Sequence, residues 1–285
     1  MRFALTLTDR YLGVLEGLLA HGWQLVKLYS TPVDGHWHRN KASIEAAQRL
    51  GVPIQLSRIS SEDLDRLGQE GCEVLVVASY GWRIPDWQAS LSHAINFHPS
   101  PLPEGRGPYP VVNALLDSRK SWGVSCHKIE HEFDKGDVLA KIDFPLNPDE
   151  THESLDLKVQ MNMKHLAADV AANFKTYWAQ ARVQEAGSYY KLWSLAERTL
   201  NFSETVASIL RVIRAFGRIE CLANVNNLTI FVKSAVGWEE NHEYPPGTMV
   251  HSSALNLVVA AKDGYIGITE WNFTAPDAIL GSAKR

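Results

Sequence analysis

Cysteine is scarce in this chain. Cys72, Cys126 and Cys221 lie far apart along 285 residues. That spacing supplies neither a disulfide framework nor a CxxC metal knuckle. The apolar neighbours of all three mark packing positions for a small hydrophobe. Excess charge of either sign is also missing. A net charge of −4 and a pI near 6.3 leave no electrostatic footprint for nucleic acid or for an anionic membrane. No apolar run reaches the length of a transmembrane helix. Residues 3–7 are apolar only briefly and carry no cleavage signal, so they read as a first strand, and a cytoplasmic protein is expected. Internal repeats and low-complexity segments are absent. A hydrophobic content of 45% supports an ordinary core, and the length suits two domains.

The first part of the chain alternates short apolar runs with helical stretches. Strands are expected over 3–7, 23–29, 52–56 and 73–78, and helices over 11–21, 42–50 and 61–68, several closed by a glycine. The continuous Val74-Leu75-Val76-Val77 run suits a strand buried on both faces. This alternation predicts an α/β fold with a doubly wound, mostly parallel sheet, whose ligands bind beyond the carboxyl ends of the strands. Residues 123–129 and 138–144 then read as a hairpin with an acidic loop at its tip, and 153–178 as a long helix. After a connector near 181–195, Ser203 is the expected N-cap of a helix running to Phe216, with Val206, Ile209, Leu210 and Ile213 on one face. The remainder reads as β, with turns at Asn226-Asn227 and Asp263-Gly264. One helix plus five or six short strands predicts a small open, OB-like barrel. The domains are expected at 1–185 and 186–285.

The chemistry concentrates in Asn96-Phe97-His98-Pro99-Ser100 and Phe133-Asp134-Lys135-Gly136-Asp137. An amide and an imidazole two residues apart on an extended segment project to one side. The prolines after His98 impose a stiff loop that continues neither strand nor helix, and Gly105-Arg106-Gly107 allows close backbone approach. A proline-rich turn with an incidental histidine satisfies the same residues until the acidic loop is added. An amide donor, a base and an orienting acid together make a proton-transfer site beside an oxyanion site. His36-Trp37-His38 with Arg39 suggests a metal or anion site, against the simpler reading of an exposed loop.

The run from Asn96 to Gly107 resembles the Asn-x-His-x-Ser-Leu-Leu-Pro motif of folate-dependent formyltransferases, with Pro101 departing from it outside the reacting pair. The Asp134 loop is similar to that family's Asp-x-Gly-Asp loop, at a similar separation of 36 residues from His98. Ser79-Tyr80-Gly81-Trp82-Arg83-Ile84-Pro85 resembles the loop that lines the pterin site. The resemblance spans about 5–180 and reaches the tail, where Asn201-Phe202-Ser203 and Ile213-Arg214-Ala215-Phe216 look like the methionyl-tRNA branch. It implies a Rossmann-like catalytic domain and 10-formyltetrahydrofolate as co-substrate, with no metal and no covalent intermediate. Asn96 would then donate to the formyl oxygen, His98 would assist the oxyanion and move the proton, and Asp134 would orient His98 and help deprotonate the amine. Tyr80, Gly81, Trp82, Ile84, Ile129, Phe133 and Asp137 would hold the folate. Arg10, Arg106 and Tyr109 would meet the acceptor.

The acceptor is argued from departures. The first strand leads into Thr8-Asp9-Arg10-Tyr11 without the Gly-rich phosphate turn of the glycinamide ribonucleotide branch. The loop over 30–43 is shorter than the tRNA-gripping loop and keeps only Arg39 and Lys41 as firm cations. Residues 186–285 hold nine Lys or Arg against nine Asp or Glu, whereas a tRNA-binding barrel should be basic. Arg211, Arg214 and Arg218 are the one candidate basic face. The expected acceptor is a small amine, an amino sugar or an amino-acid derivative. Methionyl-tRNA and hydrolysis of formyl-folate are the alternatives. No membrane partner is expected, and a homodimer is compatible with the barrel.

Overall fold

A computed structural model describes residues 1–32 and 39–273. Strands β1 (Arg2–Leu7), β2 (Gln24–Tyr29), β3 (Ile54–Gln55), β4 (Val74–Ala78), β5 (His93–His98), β6 (Ser121–Lys128) and β7 (Val138–Pro145) form one sheet in the order β3-β2-β1-β4-β5-β6-β7. Pairing is parallel from β3 through β5 and antiparallel from β5 through β7. Helices α1 (Leu12–Ala20), α2 (Lys41–Leu50) and α3 (Ser61–Gln69) supply the crossovers. The expected doubly wound, mostly parallel sheet is therefore present. All five residues of β4 are buried, as its unbroken apolar run requires. The strand expected over 52–56 shrinks to two paired residues, Leu28 with Ile54 and Tyr29 with Gln55.

The long helix α5 (His152–Ala179) starts on a capping box between Thr151 and Ser154 and buries Leu155, Val159, Met163, Leu166, Val170 and Phe174. It packs against α1 at very short range: a Cβ on Gly17 would lie 2.7 Å from Lys164 O. The short helix α4 (Pro110–Leu116), not foreseen in the sequence, begins with Pro110 in its first turn and Tyr109 in the left-handed region at its N-cap.

A one-turn helix, α6 (Leu195–Arg198), leads to α7 (Val206–Phe216). Strands β8 (Cys221–Val225), β9 (Leu228–Glu239), β10 (Met249–Ser252), β11 (Leu257–Ala260) and β12 (Gly264–Asn272) form a curled antiparallel sheet in the order β10-β11-β12-β9-β8. This is the expected small open barrel. Asn226 and Asn227 both adopt positive φ, 49° and 62°, as a tight hairpin turn demands. The cap of α7 corrects the sequence reading. Asn201 draws Ser203 N–H onto its own side chain at 3.1 Å, and Glu204 N–H onto its carbonyl at 3.1 Å. Val206 N–H, three residues after Ser203, donates to Asp263 Oδ1 at 2.8 Å, and Thr205 is the N-cap and accepts from Ser208 N–H at 3.2 Å. Val206, Ile209, Ile213 and Phe216 of α7 join Val111 and Leu115 of α4 in one buried cluster, so a continuous core runs beneath both sheets. Among the described residues no helix is long and apolar enough to cross a membrane.

Candidate active site

Strands β4 and β5 end side by side, which brings the loops at 79–85 and 99–107 to one edge. The second loop is stapled to β6 rather than left to its prolines. Trp122 Nε1–H donates to Pro99 O at 2.9 Å. Buried Ser125 donates to Ser100 O at 2.8 Å and accepts from Leu102 N–H at 3.0 Å. Ser125 also stands opposite His98 in the β5–β6 register. The strand end carrying His98 is thus fixed on both sides.

Four polar side chains converge there. Asp134, in the loop between β6 and β7, has a left-handed backbone with φ 57°. Its Oδ1 lies 3.5 Å from His98 Nδ1, 3.5 Å from Asn96 Nδ2 and 3.6 Å from His127 Nε2. Its Oδ2 accepts Gly107 N–H at 2.9 Å. The carbonyl partners set the tautomers. His98 Nε2–H donates to Gly105 O at 2.9 Å, so its Nδ1 carries the lone pair when the ring is neutral. His127 Nδ1–H donates to Lys128 O at 2.7 Å, leaving Nε2 to accept from Asn96 Nδ2–H at 3.0 Å. One N–H of the Asn96 amide is thereby anchored, and the other is held only by the long 3.5 Å contact to Asp134 Oδ1, which a closer acceptor can replace.

Electrostatics follow from this packing. Burial pulls the His98 imidazole below its ordinary value, against Asp134 and the Gly105 carbonyl, which favour its cation. Burial also opposes the Asp134 charge, but the neighbouring His98 and His127 imidazoles and Gly107 N–H outweigh it and hold the carboxyl well below the usual carboxylate range. At neutral pH the pair is an ionised Asp134 beside a neutral His98. A lone pair, a weakly held N–H and a carboxylate then share one small volume.

The other expected residues divide. Tyr80, Ile84 and Ile129 each pack against a satellite core that includes Ile59, Val77, Trp87 and Leu91. Tyr80 is held there by Ile59 N–H, 2.8 Å from its hydroxyl, and meets Trp82 edge-on. Gly81 has open space where a side chain would be. Phe133 is exposed with Arg83 over its ring, and Asp137 pairs with Lys128 at 3.0 Å. Arg10 is engaged by Asp156 of α5. Tyr109 leans on Trp193, 6.2 Å away. Arg106, expected at the acceptor, is buried, and its guanidinium donates to Gln184 Oε1 and Glu185 O. The tight turn at Gly105 and Gly107 directs this side chain back onto the chain. His36, Trp37 and His38 lie outside the described residues.

Two residues in this arrangement went unnoticed in the sequence. His127 sits in an alternating strand, and only the register that sets it opposite Asn96 exposes its contact. Gln184, in the connector, donates to Asp134 O and Gly136 O at 2.8 and 2.7 Å. No local pattern marks it.

A formyl transferase family model matches residues 38–170, and a formyl transferase C-terminal domain model matches 174–281. The methionyl-tRNA formyltransferase of Hahella chejuensis is 27% identical over 266 residues, covering 90% of this chain and 84% of its own. The N-formyltransferase of Helicobacter canadensis, solved with folinic acid and dTDP-3-aminofucose, superposes with a TM-score of 0.68 at 17% identity, over 95% of this chain and 99% of that one. HypX from Aquifex aeolicus, solved with tetrahydrofolic acid, gives a TM-score of 0.66 at 17% identity, and the match spans 95% of this chain but 44% of HypX. At these identities the two solved structures report a shared fold.

Proposed function

The chain belongs to the formyltransferase family, and from that premise we propose that it moves a formyl group from 10-formyltetrahydrofolate to the amine of a small acceptor, an amino sugar or an amino-acid derivative. Tyr80, Ile84 and Ile129 pack on a core cluster whose Val77 pairs with Asn96 across β4 and β5, and this apolar surface suits the flat ring of a folate. The folate supplies a formyl group already activated on nitrogen.

The residues have distinct tasks in this reading. The Asn96 N–H that His127 leaves unanchored turns from its long contact with Asp134 to the formyl oxygen as charge develops there. Such a donor is worth about 3 to 4 kcal/mol in other enzymes. The acceptor nitrogen bonds to the formyl carbon and loses a proton to His98 Nδ1. Ionised Asp134 stabilises the imidazolium so formed, and the proton then passes to the departing folate nitrogen as its bond to the formyl carbon breaks. His127 keeps the Asn96 amide turned the right way.

One observation carries the choice of a small acceptor: among the described residues, the arginines expected to make a basic face on the second domain are mostly not exposed. Arg211 and Arg214 are both partly buried on α7. Arg211 donates to Ser118 Oγ at 3.3 Å, and only Arg218 is exposed. With nine basic residues balanced by nine acidic ones over 186–285, the counterion-release contribution that drives tRNA binding is weak. The names of the sequence relatives favour a second reading, methionyl-tRNA as acceptor. A screen of amines against methionyl-tRNA, followed by tetrahydrofolate release, separates the two. Efficient formylation of methionyl-tRNA with no response to any small amine would overturn the proposal. Folate release independent of every acceptor would mark a hydrolase.

A further inference from the structure

The connector between the two domains is built into the candidate active site. Arg182 and Val138 exchange backbone hydrogen bonds of 2.8 and 2.9 Å at the foot of the Asp134 loop. Two residues on, the Gln184 amide nitrogen donates to Asp134 O at 2.8 Å and Gly136 O at 2.7 Å, and its Oε1 accepts from Arg106 Nε at 2.9 Å. The same guanidinium donates to Glu185 O at 2.8 Å. The main chain continues the seam. Arg106 N–H donates to Ser188 O at 3.0 Å, Tyr190 N–H to Arg106 O at 2.7 Å, and Gly105 N–H to Ser188 Oγ at 2.8 Å. The approach is too close for a side chain at Gly187, whose Cβ would lie 2.1 Å from Pro103 O.

These contacts act on the two loops that carry the reacting groups. Gly105 O orients His98. Asp134 holds a left-handed backbone, uncommon for a residue with a Cβ, and it is the Asp134 carbonyl that Gln184 grips. Neither Gln184 nor Arg106 lies within bonding distance of the His98 or Asp134 side chain. We propose that Gln184 and Arg106 are positioning residues for formyl transfer, a brace from the inter-domain connector that holds the Asp134 carboxylate at its working distance from His98. The proposal rests on the reading of His98 and Asp134 as the working pair.

Gln184→Glu tests it. The change is nearly isosteric, keeps the acceptor for Arg106, and replaces the one nitrogen that serves both carbonyls of the Asp134 loop by a repelling oxygen. Hydroxylamine serves as the nucleophile, since it needs no acceptor pocket, and tetrahydrofolate release is followed. A reacting group displaced by about 1 Å costs on the order of 100-fold, so kcat should fall about 10- to 100-fold while KM for 10-formyltetrahydrofolate stays within about threefold. Because the brace acts through Asp134, the same change in an Asp134→Asn background should cost less than about threefold more. Arg106→Lys, which cannot serve both acceptors with one fork, should give a smaller loss of kcat with the same KM. Unchanged kcat in both Gln184→Glu and Arg106→Lys would overturn the brace. So would a full additional loss in the Asp134→Asn background. An Asp134→Asn variant as active as wild type would instead refute the reading of the pair itself.

Discussion

Replacing His127 by leucine isolates the orientation of the Asn96 amide from its presence. His127 is 2% exposed, so leucine fills its place without solvent entering freely. Two hydrogen bonds vanish, one from Asn96 Nδ2–H at 3.0 Å and one to Lys128 O at 2.7 Å. Each buried group left unpaired costs about 1 to 3 kcal/mol. Asn96 is only half-buried, so water recovers part of its share, and a stability loss of about 2 to 3 kcal/mol is expected in urea unfolding. Catalysis has two limits. An amide shared equally between its two flips loses about twofold, whereas complete loss of an oxyanion donor costs on the order of 100- to 1000-fold. Asp134 Oδ1, 3.5 Å from Asn96 Nδ2, competes for the freed N–H, so kcat should fall about 10- to 100-fold, between those limits. His127→Gln places an amide oxygen near the lost Nε2 and should restore kcat to within about fivefold of wild type, although the Lys128 contact stays broken. Tetrahydrofolate release under saturating folate and hydroxylamine reads both. A leucine variant within threefold of wild type would refute the anchoring role. A glutamine variant as slow as leucine would show that the amide contact is not what matters.

Asn96→Ala removes the donor outright and should lower kcat on the order of 100- to 1000-fold with little change in folate KM, checked by steady-state kinetics. Gly136→Ala places a Cβ 1.9 Å from Lys128 O; the Asp134 loop must shift, so activity should fall at least about 10-fold, while a fully active variant would deny the tight approach. Stability should also decline in mild acid. Burial, with Arg10 and Arg218 nearby, lowers the His152 imidazole to about 4 against the pull of Asp156 and Glu153. A depressed histidine contributes stability that is fully present above its unfolded value of about 6.5 and is lost as pH falls toward the folded value. About 2 kcal/mol should be gone by pH 5, and His152→Gln should flatten the slope of urea midpoint against pH between 7 and 5. A slope unchanged in that variant would assign the acid sensitivity to other groups. His98, depressed by burial and raised by Asp134, should titrate below the ordinary imidazole value by NMR, and lower still in Asp134→Asn.

Much of the architecture was legible because its signals are local. The Val74–Ala78 run, the glycines that end helices and the Asn226-Asn227 turn each act within a few residues. The helix start at 203 was misread because Ser203 and Thr205 are both good caps. Val206 N–H, the donor that a Ser203 cap would take, goes instead to Asp263 Oδ1 at 2.8 Å, a partner 57 residues away. Helix α4 was missed because seven residues hold too little periodicity. In the candidate site, Asn96 and His98 could be paired from spacing alone, since alternation along a strand is a local property. Their approach to Asp134 required the loops to close.

The sequence by itself determined the parallel alternation of the first domain, the amide and imidazole on one strand face, the stiff proline segment after them and the charge balance of the second domain. Each is a property of neighbours in the chain or of composition. Only the tertiary structure decided that His127 faces Asn96, that Gln184 grips the Asp134 loop and that Arg106 turns inward. Those contacts join residues 31, 50 and 78 positions apart. Their geometry depends on strand register and on how the connector packs, and no local pattern of residues encodes either.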